Sequence, residues 1–387
     1  MLPSGTMRRA IRKALVIGLF VGLVGSCGGM GAADASLDVS TCQDNWNVLL
    51  QASQNVWVIG TGTAGSGLSW SNGQLYFQYR DWEKATGNQW AIASISTLDS
   101  LPLLSNVAPF GALGWWIESD QLIYVDDNLV LNAMPLAGGV QPTPLADLSQ
   151  GTLNAYYFGF VLDTEAVYWI SLDWAQSSTA TGWSVWRALR STGERQQLAI
   201  MPSQSATSGT GSRLTLTQDS VMADNGLRGV PGGILYVVPK TGGTPRELPA
   251  PSYGSLLATS ADGVVLWLEL LQGGQSYSMW RATVDGATPT PFWADKPPEL
   301  FLEDAWSDGN GGWYLSASEY TSPKHLSDTQ HTSIWSLDSS GHGTRLACNP
   351  APRTVASSAS ALSPTTLFLL DQGISSSDTT SIVSIAR

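Results

Sequence analysis

The chain has 387 residues, 31 of them acidic and 19 basic, for a formal net charge of -12. That balance argues against DNA, RNA and anionic lipid headgroups as partners, because phosphate recognition needs clustered Lys and Arg. Charged residues make up 13% of the chain, yet it carries 40 Gly and 17 Trp, a composition that suits an all-β protein with aromatic residues packed between sheets.

In chain order the first element is an export signal. Met7-Arg8-Arg9-Ala10-Ile11-Arg12-Lys13 precedes an apolar run from Ala14 to Val24 that ends at Gly25-Ser26-Cys27. A basic start, a short apolar stretch and small residues at the cut describe a segment removed after export, and the run is too short to span a bilayer. Met7 opens a better basic region than Met1 does. Arg8-Arg9 hints at twin-arginine export, although Arg12 stands where that signal carries a hydrophobic residue.

Val24-Gly25-Ser26-Cys27 resembles the signal of bacterial lipoproteins. The resemblance implies a signal peptide over 1–27 with Cys27 lipidated as the new N-terminus, and Gly28 in place of aspartate then favours the outer membrane. The alternative is ordinary export with cleavage after Ala33 or Ala35. Either way the chain is expected in the cell envelope, touching the membrane through a lipid anchor only. Losing the signal removes four basic residues and no acid, leaving 15 against 31 and a net charge of -16. Residues 28–52 read as tether and lead-in.

Residues 53–387 are organised by a repeat in which a polar turn precedes an apolar, aromatic-rich strand. It opens as Asn72-Gly73-Gln74-Leu75-Tyr76-Phe77 and returns at Asp120-Gln121-Leu122, Glu165-Ala166-Val167, Asp219-Ser220-Val221, Asp262-Gly263-Val264-Val265, Gly311-Gly312-Trp313 and Pro364-Thr365-Thr366-Leu367. Each copy continues into a second apolar strand, a Gly-containing hairpin turn and a short outer strand, as in Val185-Trp186-Arg187 with Thr192-Gly193. Four antiparallel strands per unit describe a β-propeller blade, which buries its faces only against neighbours. The expected fold is seven four-stranded blades, with six as the alternative. The last unit ends at its third strand, so a spare strand around Asn55–Ile59 is expected to complete it and close the ring. The pattern resembles the YWTD and TolB-like repeat propellers, without the Tyr-Trp-Thr-Asp tetrad, and the resemblance implies a binding platform.

Cys42 and Cys348 remain beside Cys27. In an oxidising compartment an even pair reads as a disulfide, here pinning the lead-in to the end of the sixth unit. Two buried thiols or a metal pair are the alternatives.

Candidate chemistry lies on the face carrying the loops between second and third strands. Counting from Tyr76, Tyr168 and Tyr314 puts an acid and then an aromatic at Asp81-Trp82, Asp173-Trp174 and Glu319-Tyr320. Such pairs can stack on a sugar ring or hold a cation, or can equally brace blades and cap turns. Units two, four, five and seven do not match this spacing. His325, Asp328 and His331 share one long loop and are the metal candidates, though their spacing matches no established zinc pattern. Ser307–Gly312 superficially resembles a calcium loop and coincides with the repeated turn. A Gly-x-Ser-x-Gly elbow and a phosphate-binding glycine loop are absent, and no cofactor is expected. The sequence therefore points to a non-catalytic module binding an envelope protein or glycan, with a glycan hydrolase or lyase using rim carboxylates as the alternative.

Overall fold

The computed structural model describes residues 42, 46–51, 56–58, 68–81, 90–94, 104–107, 115–126, 128–137, 140–148, 156–174, 180–201, 214–224, 234–248, 254–270, 277–286, 288–320, 331–349, 355–371 and 381–387. All regular structure in them is β. After β1 (Asn47–Gln51), blade one holds β2 (Val56–Val58), β3 (Leu68–Ser71), β4 (Gln74–Asp81), β5 (Trp90–Ser94) and β6 (Leu104–Val107). Blade two holds β7 (Trp115–Glu118), β8 (Gln121–Val125), β9 (Val130–Pro135) and β10 (Thr143–Asp147), and blade three β11 (Tyr156–Leu162), β12 (Ala166–Trp174), β13 (Ala180–Leu189) and β14 (Arg195–Met201). Blade four is β15 (Leu214–Leu216), β16 (Ser220–Asp224), β17 (Leu235–Pro239) and β18 (Arg246–Leu248). Blade five is β19 (Gly254–Thr259), β20 (Val264–Leu270), β21 (Tyr277–Thr283) and β22 (Thr290–Phe292). Blade six is β23 (Leu300–Ser307), β24 (Trp313–Glu319), β25 (His331–Leu337) and β26 (Gly343–Asn349); blade seven is β27 (Val355–Leu362), β28 (Thr366–Asp371) and β29 (Ser381–Ala386), completed by β1.

The strands thus form seven antiparallel sheets, six of four strands and one of five. The fifth strand of blade one arises from an interruption. β2 pairs with the end of β4 (Val58 opposite Tyr79) and β3 with its start (Leu68 opposite Phe77), so the two lie in line along β4 as one broken first strand. The same position bears register shifts elsewhere, between Tyr157 and Phe160, Leu256 and Ala258, Leu302 and Asp304, and Ala356 and Ser360. Bulges there bend the strand that must curve around the axis. First strands of neighbouring blades adjoin one another, β19 with β23, β23 with β27 and β27 with β3 among them, which places them innermost.

The second strands are buried on both faces, as sheets sandwiched between two neighbouring blades must be. Phe77, Trp169 and Trp267, each two residues beyond the repeat's leading apolar residue, are fully buried. Seven hydrophobic clusters fill the seven blade-to-blade seams; Leu75, Phe77, Leu370 and Ile382, for example, join blade seven to blade one. Since each apolar face is covered only by the next blade, the sheets are stable as a ring.

The ring is closed by an N-terminal strand, but by one earlier than the spacing suggested. β1 pairs with β29 (Asn47 opposite Ser384), whereas Val56–Val58 goes to blade one. The cause is covalent. Cys42 is bonded to Cys348 in β26 across 306 residues of sequence, so the few residues that follow reach only the open edge of the adjacent blade. Trp46 then packs into the seam of Tyr314, Ile334, Leu369 and Val383.

Candidate functional site

One face of the ring is occupied by its own architecture. The turns joining first to second strands there are short, 72–73, 119–120, 163–165, 217–219, 260–263, 308–312 and 363–365. Side chains on this face reach from blade to blade. Asn72 Nδ2 donates to Asp120 Oδ1 (2.8 Å), Arg190 Nη2 to Glu118 Oε2 (2.6 Å), Lys240 Nζ to Asp163 Oδ2 (2.9 Å) and Arg281 Nη1 to the Ser339 carbonyl (2.9 Å). Asp163 sits at the junction: its Oδ1 also accepts the amides of Glu165 and Ala166. Burial would raise its pKa, but the Lys240 hydrogen bond and those amides outweigh it and hold the carboxyl below its usual range. Ser307–Gly312 belongs here as an ordinary turn, with Asp308 Oδ1 accepting the amides of Asn310 and Gly312. His342 lies here too, its Nδ1 2.7 Å from Ser340 Oγ.

The opposite face carries the longer connections between second and third strands, 82–89, 225–234, 320–330 and 372–380 among them, together with the blade-to-blade crossings. Every second strand ends at or next to an acidic residue. Asp81, Asp224, Glu319 and Asp371 are the last residues of β4, β16, β24 and β28; Asp173 and Glu269 are the penultimate residues of β12 and β20; Asp126 directly follows β8. Reading from the strand start found only three of these, because second strands differ in length; aligning strand ends reveals the acid in all seven units.

These acids are not equivalent. Asp126 Oδ1 accepts the amides of Asn128 and Val130, holding a tight loop. Asp224 and Asp371 are buried. Glu319, expected to display its carboxylate beside Tyr320, is instead fully buried, with Oε2 3.2 Å from Arg345 Nη1. Its side chain shares the sheet face of Leu315 and Ala317 and points into the seam with blade five, so the pair braces the fold. Tyr320 is half-buried, and its amide donates to the Glu299 carbonyl (3.2 Å). Asp81, Asp173 and Trp174 end their strands on this face; Trp82 lies outside the described residues. Of the three expected pairs, the one in blade six is split, with Glu319 turned into the seam and Tyr320 half-buried after the strand end.

Blade six adds groups that spacing did not single out. The crossing 293–299 holds Lys296, whose Nζ donates to the carbonyls of Pro297 and Leu300 (3.0 Å each). Its burial lowers the amine's pKa to about 8 against the opposing pull of Glu299. Glu299 is itself buried, with Oε2 unpartnered. One strand inward, Glu303 occupies the bulge of β23, exposed to solvent and yet hemmed in by protein, as expected of a group lining the axis. Ser318 Oγ donates to Glu303 Oε1, but burial, and secondarily the charge of Asp304, raise the Glu303 pKa. Phe301, two residues before it, is also exposed.

Of the metal candidates, His325 and Asp328 lie outside the described residues. His331 heads β25 and stands beside the Cys42–Cys348 disulfide, its ring nitrogen and the two sulfurs within 4.8 Å of one another. No helix among the described residues is long and apolar enough to cross a membrane.

This architecture defines the chain as a β-propeller. No protein-family model and no curated protein sequence matches it. Among solved structures it is similar to an oligogalacturonate lyase in complex with manganese, with a TM-score of 0.60 and 10% identity over 89% of this chain and 96% of that one. It is also similar to the propeller domain of the Trilobed protease from Pyrococcus furiosus (TM-score 0.52, 9% identity, 86% of this chain and 94% of that). A third is the acylaminoacyl peptidase of Pyrococcus horikoshii (TM-score 0.51, 10% identity, 82% of this chain and 49% of that). At such identities the likeness is one of fold.

Proposed function

We propose that the protein is a lipid-anchored propeller of the cell envelope, held by Cys27, that binds an envelope protein or glycan through its loop-rich face. The observation that carries this reading is the asymmetry between the two faces. One is committed to blade-to-blade hydrogen bonds, whereas the other bears the long connections, with an acidic residue at or next to the end of each second strand. Elaborated loops on a rigid scaffold are where recognition is built. Acids on the rim suit a neutral glycan or a basic protein surface and repel anionic polysaccharides. Asp81-Trp82, Asp173-Trp174 and Tyr320 supply stacking surfaces and hydrogen-bond acceptors, while Glu319 acts from beneath as a brace.

The test compares the lipidated protein purified from membranes with a variant carrying Ala at Asp81, Trp82, Asp173 and Trp174. A protein or glycan retained by the first and lost by the folded variant supports the reading; identical sets of co-purifying material overturn the rim assignment.

A second reading, a glycan hydrolase or lyase, is favoured by Glu303. A solvent-facing carboxyl whose pKa is raised beside Asp304 has the character of a general acid. Turnover of an envelope polysaccharide that is abolished in Glu303→Gln would establish it, and inactivity of the wild type towards a panel of such polysaccharides would remove it.

A further inference from the structure

We propose that the reduced form of the Cys42–Cys348 clasp is a site for a soft transition-metal ion, with the two thiolates and Nδ1 of His331 as ligands. The three residues come from separate parts of the chain: the lead-in, the outer strand of blade six and the first residue of β25. Cys348 is the Cα partner of Ser333. His331, two residues before Ser333, therefore points to the same face as Cys348. The ligand atoms already lie within 4.8 Å of one another.

His331 Nδ1 is the second, independent observation. It is buried and has no hydrogen-bond partner. A buried polar nitrogen left unpaired is unfavourable, and a metal ion is one way to satisfy it. Ligand bonds near 2.3 Å to sulfur and 2.0 Å to nitrogen place tetrahedral donors roughly 3.5 Å apart. The sulfurs must therefore separate from bonding distance while His331 remains about where it is. Cys42 precedes β1 and belongs to no strand, so it is the side of the clasp able to yield. Thiolate and imidazole donors select zinc or cuprous ions over calcium or magnesium.

The chemistry balances with a dithiol as reductant. The dithiol supplies two electrons and two protons and becomes a disulfide; the Cys42–Cys348 bond breaks and each sulfur takes one proton. A divalent ion then displaces both protons and leaves one coordination position open. The clasp thus exchanges a covalent closure for a coordinated one, and the lead-in stays at blade six in both. This inference does not depend on what the loop face binds.

The probe is cobalt(II), added anaerobically to the whole protein after reduction and removal of the reductant. A sulfur-to-cobalt charge-transfer band with tetrahedral ligand-field bands is expected in the reduced protein and not in the oxidised one. His331→Ala should weaken cobalt binding by at least about tenfold and alter the ligand-field bands, while its oxidised form keeps the wild-type melting temperature. The near-UV tryptophan signal reports folding of each sample. Absence of the charge-transfer band in reduced, folded protein overturns the proposal. So do bands unchanged by His331→Ala, or a reduced chain that loses its tryptophan signal and does not regain it with cobalt.

Discussion

Lys240 Nζ in blade four lies 2.9 Å from Asp163 Oδ2 in blade three, and Tyr168 OH donates to the same oxygen from 3.2 Å. Lys240 also stands over the Tyr168 ring, 5.6 Å from its centroid. A single carboxylate therefore ties the first turn of one blade to the hairpin of the next. Asp120 and Glu118 serve comparable links around the same face.

The first prediction concerns this link. The Asp163 pKa is depressed in the folded state, so its contribution is fully present above the unfolded value near 4 and is lost as pH falls through the lower folded value. Asp163→Asn should cost roughly 1–2 kcal/mol at pH 7. The gap to wild type should close as pH drops below about 4, which urea titrations at several pH values will show.

The second concerns closure. Cys42→Ser removes a crosslink spanning 306 residues and should cost roughly 2–4 kcal/mol. Deleting residues 43–51 removes β1 as well and bares the edge of β29, so aggregation is expected. Deleting 56–58 instead should leave the monomer intact, because those residues pair only with the end of β4. Light scattering and melting curves of the three variants distinguish the roles.

How much of this was legible in the sequence can be argued from these strands. The repeat fixes the blades because strand alternation and turn chemistry are local: Asn72 and Gly73 both adopt positive φ, as a two-residue hairpin turn demands. The disulfide was legible from cysteine count. The closing strand was not, because Val56–Val58 and Asn47–Gln51 are both short apolar segments, and only the reach from Cys42 decides between them. The acid at every second-strand end was obscured because strand length varies while the strand end is what the fold conserves in space. Glu319 could not be known as buried, since its Arg345 partner lies 26 residues away on the outer strand. Glu303 gave no motif at all; it shares the exposed side of β23 with Phe301, and the first strand's place in the ring is a property of the fold.

Glu303 supplies the third prediction. Its folded pKa is raised, so the folded protein holds a proton that the unfolded chain has released, and stability falls as pH rises from about 4.3 through the folded value. Glu303→Gln mimics the protonated form. The variant should be at least as stable as wild type at pH 7, and its melting temperature should vary less with pH across that window. A variant less stable than wild type at pH 7 contradicts this assignment.

Lys296 gives the fourth. An ordinary lysine resists acylation at pH 8 because it is protonated, whereas an amine with a pKa of about 8 is half free there. Competitive labelling with a limiting acylating reagent, read by peptide mass spectrometry, should give Lys296 a pH profile with its midpoint near 8.

The last prediction separates bracing from recognition at Glu319. A fully buried carboxylate faces a mostly buried guanidinium here, and removing one member leaves the other charge stranded. Arg345→Ala should therefore cost roughly 3 kcal/mol or more, whereas the double change Glu319→Leu with Arg345→Met, which removes both charges and keeps volume, should lie within about 1 kcal/mol of wild type. Ligand retention by that double variant completes the argument. If Glu319 only braces the seam between blades five and six, binding on the loop face persists; loss of binding in a variant of unchanged stability would return Glu319 to the recognition surface.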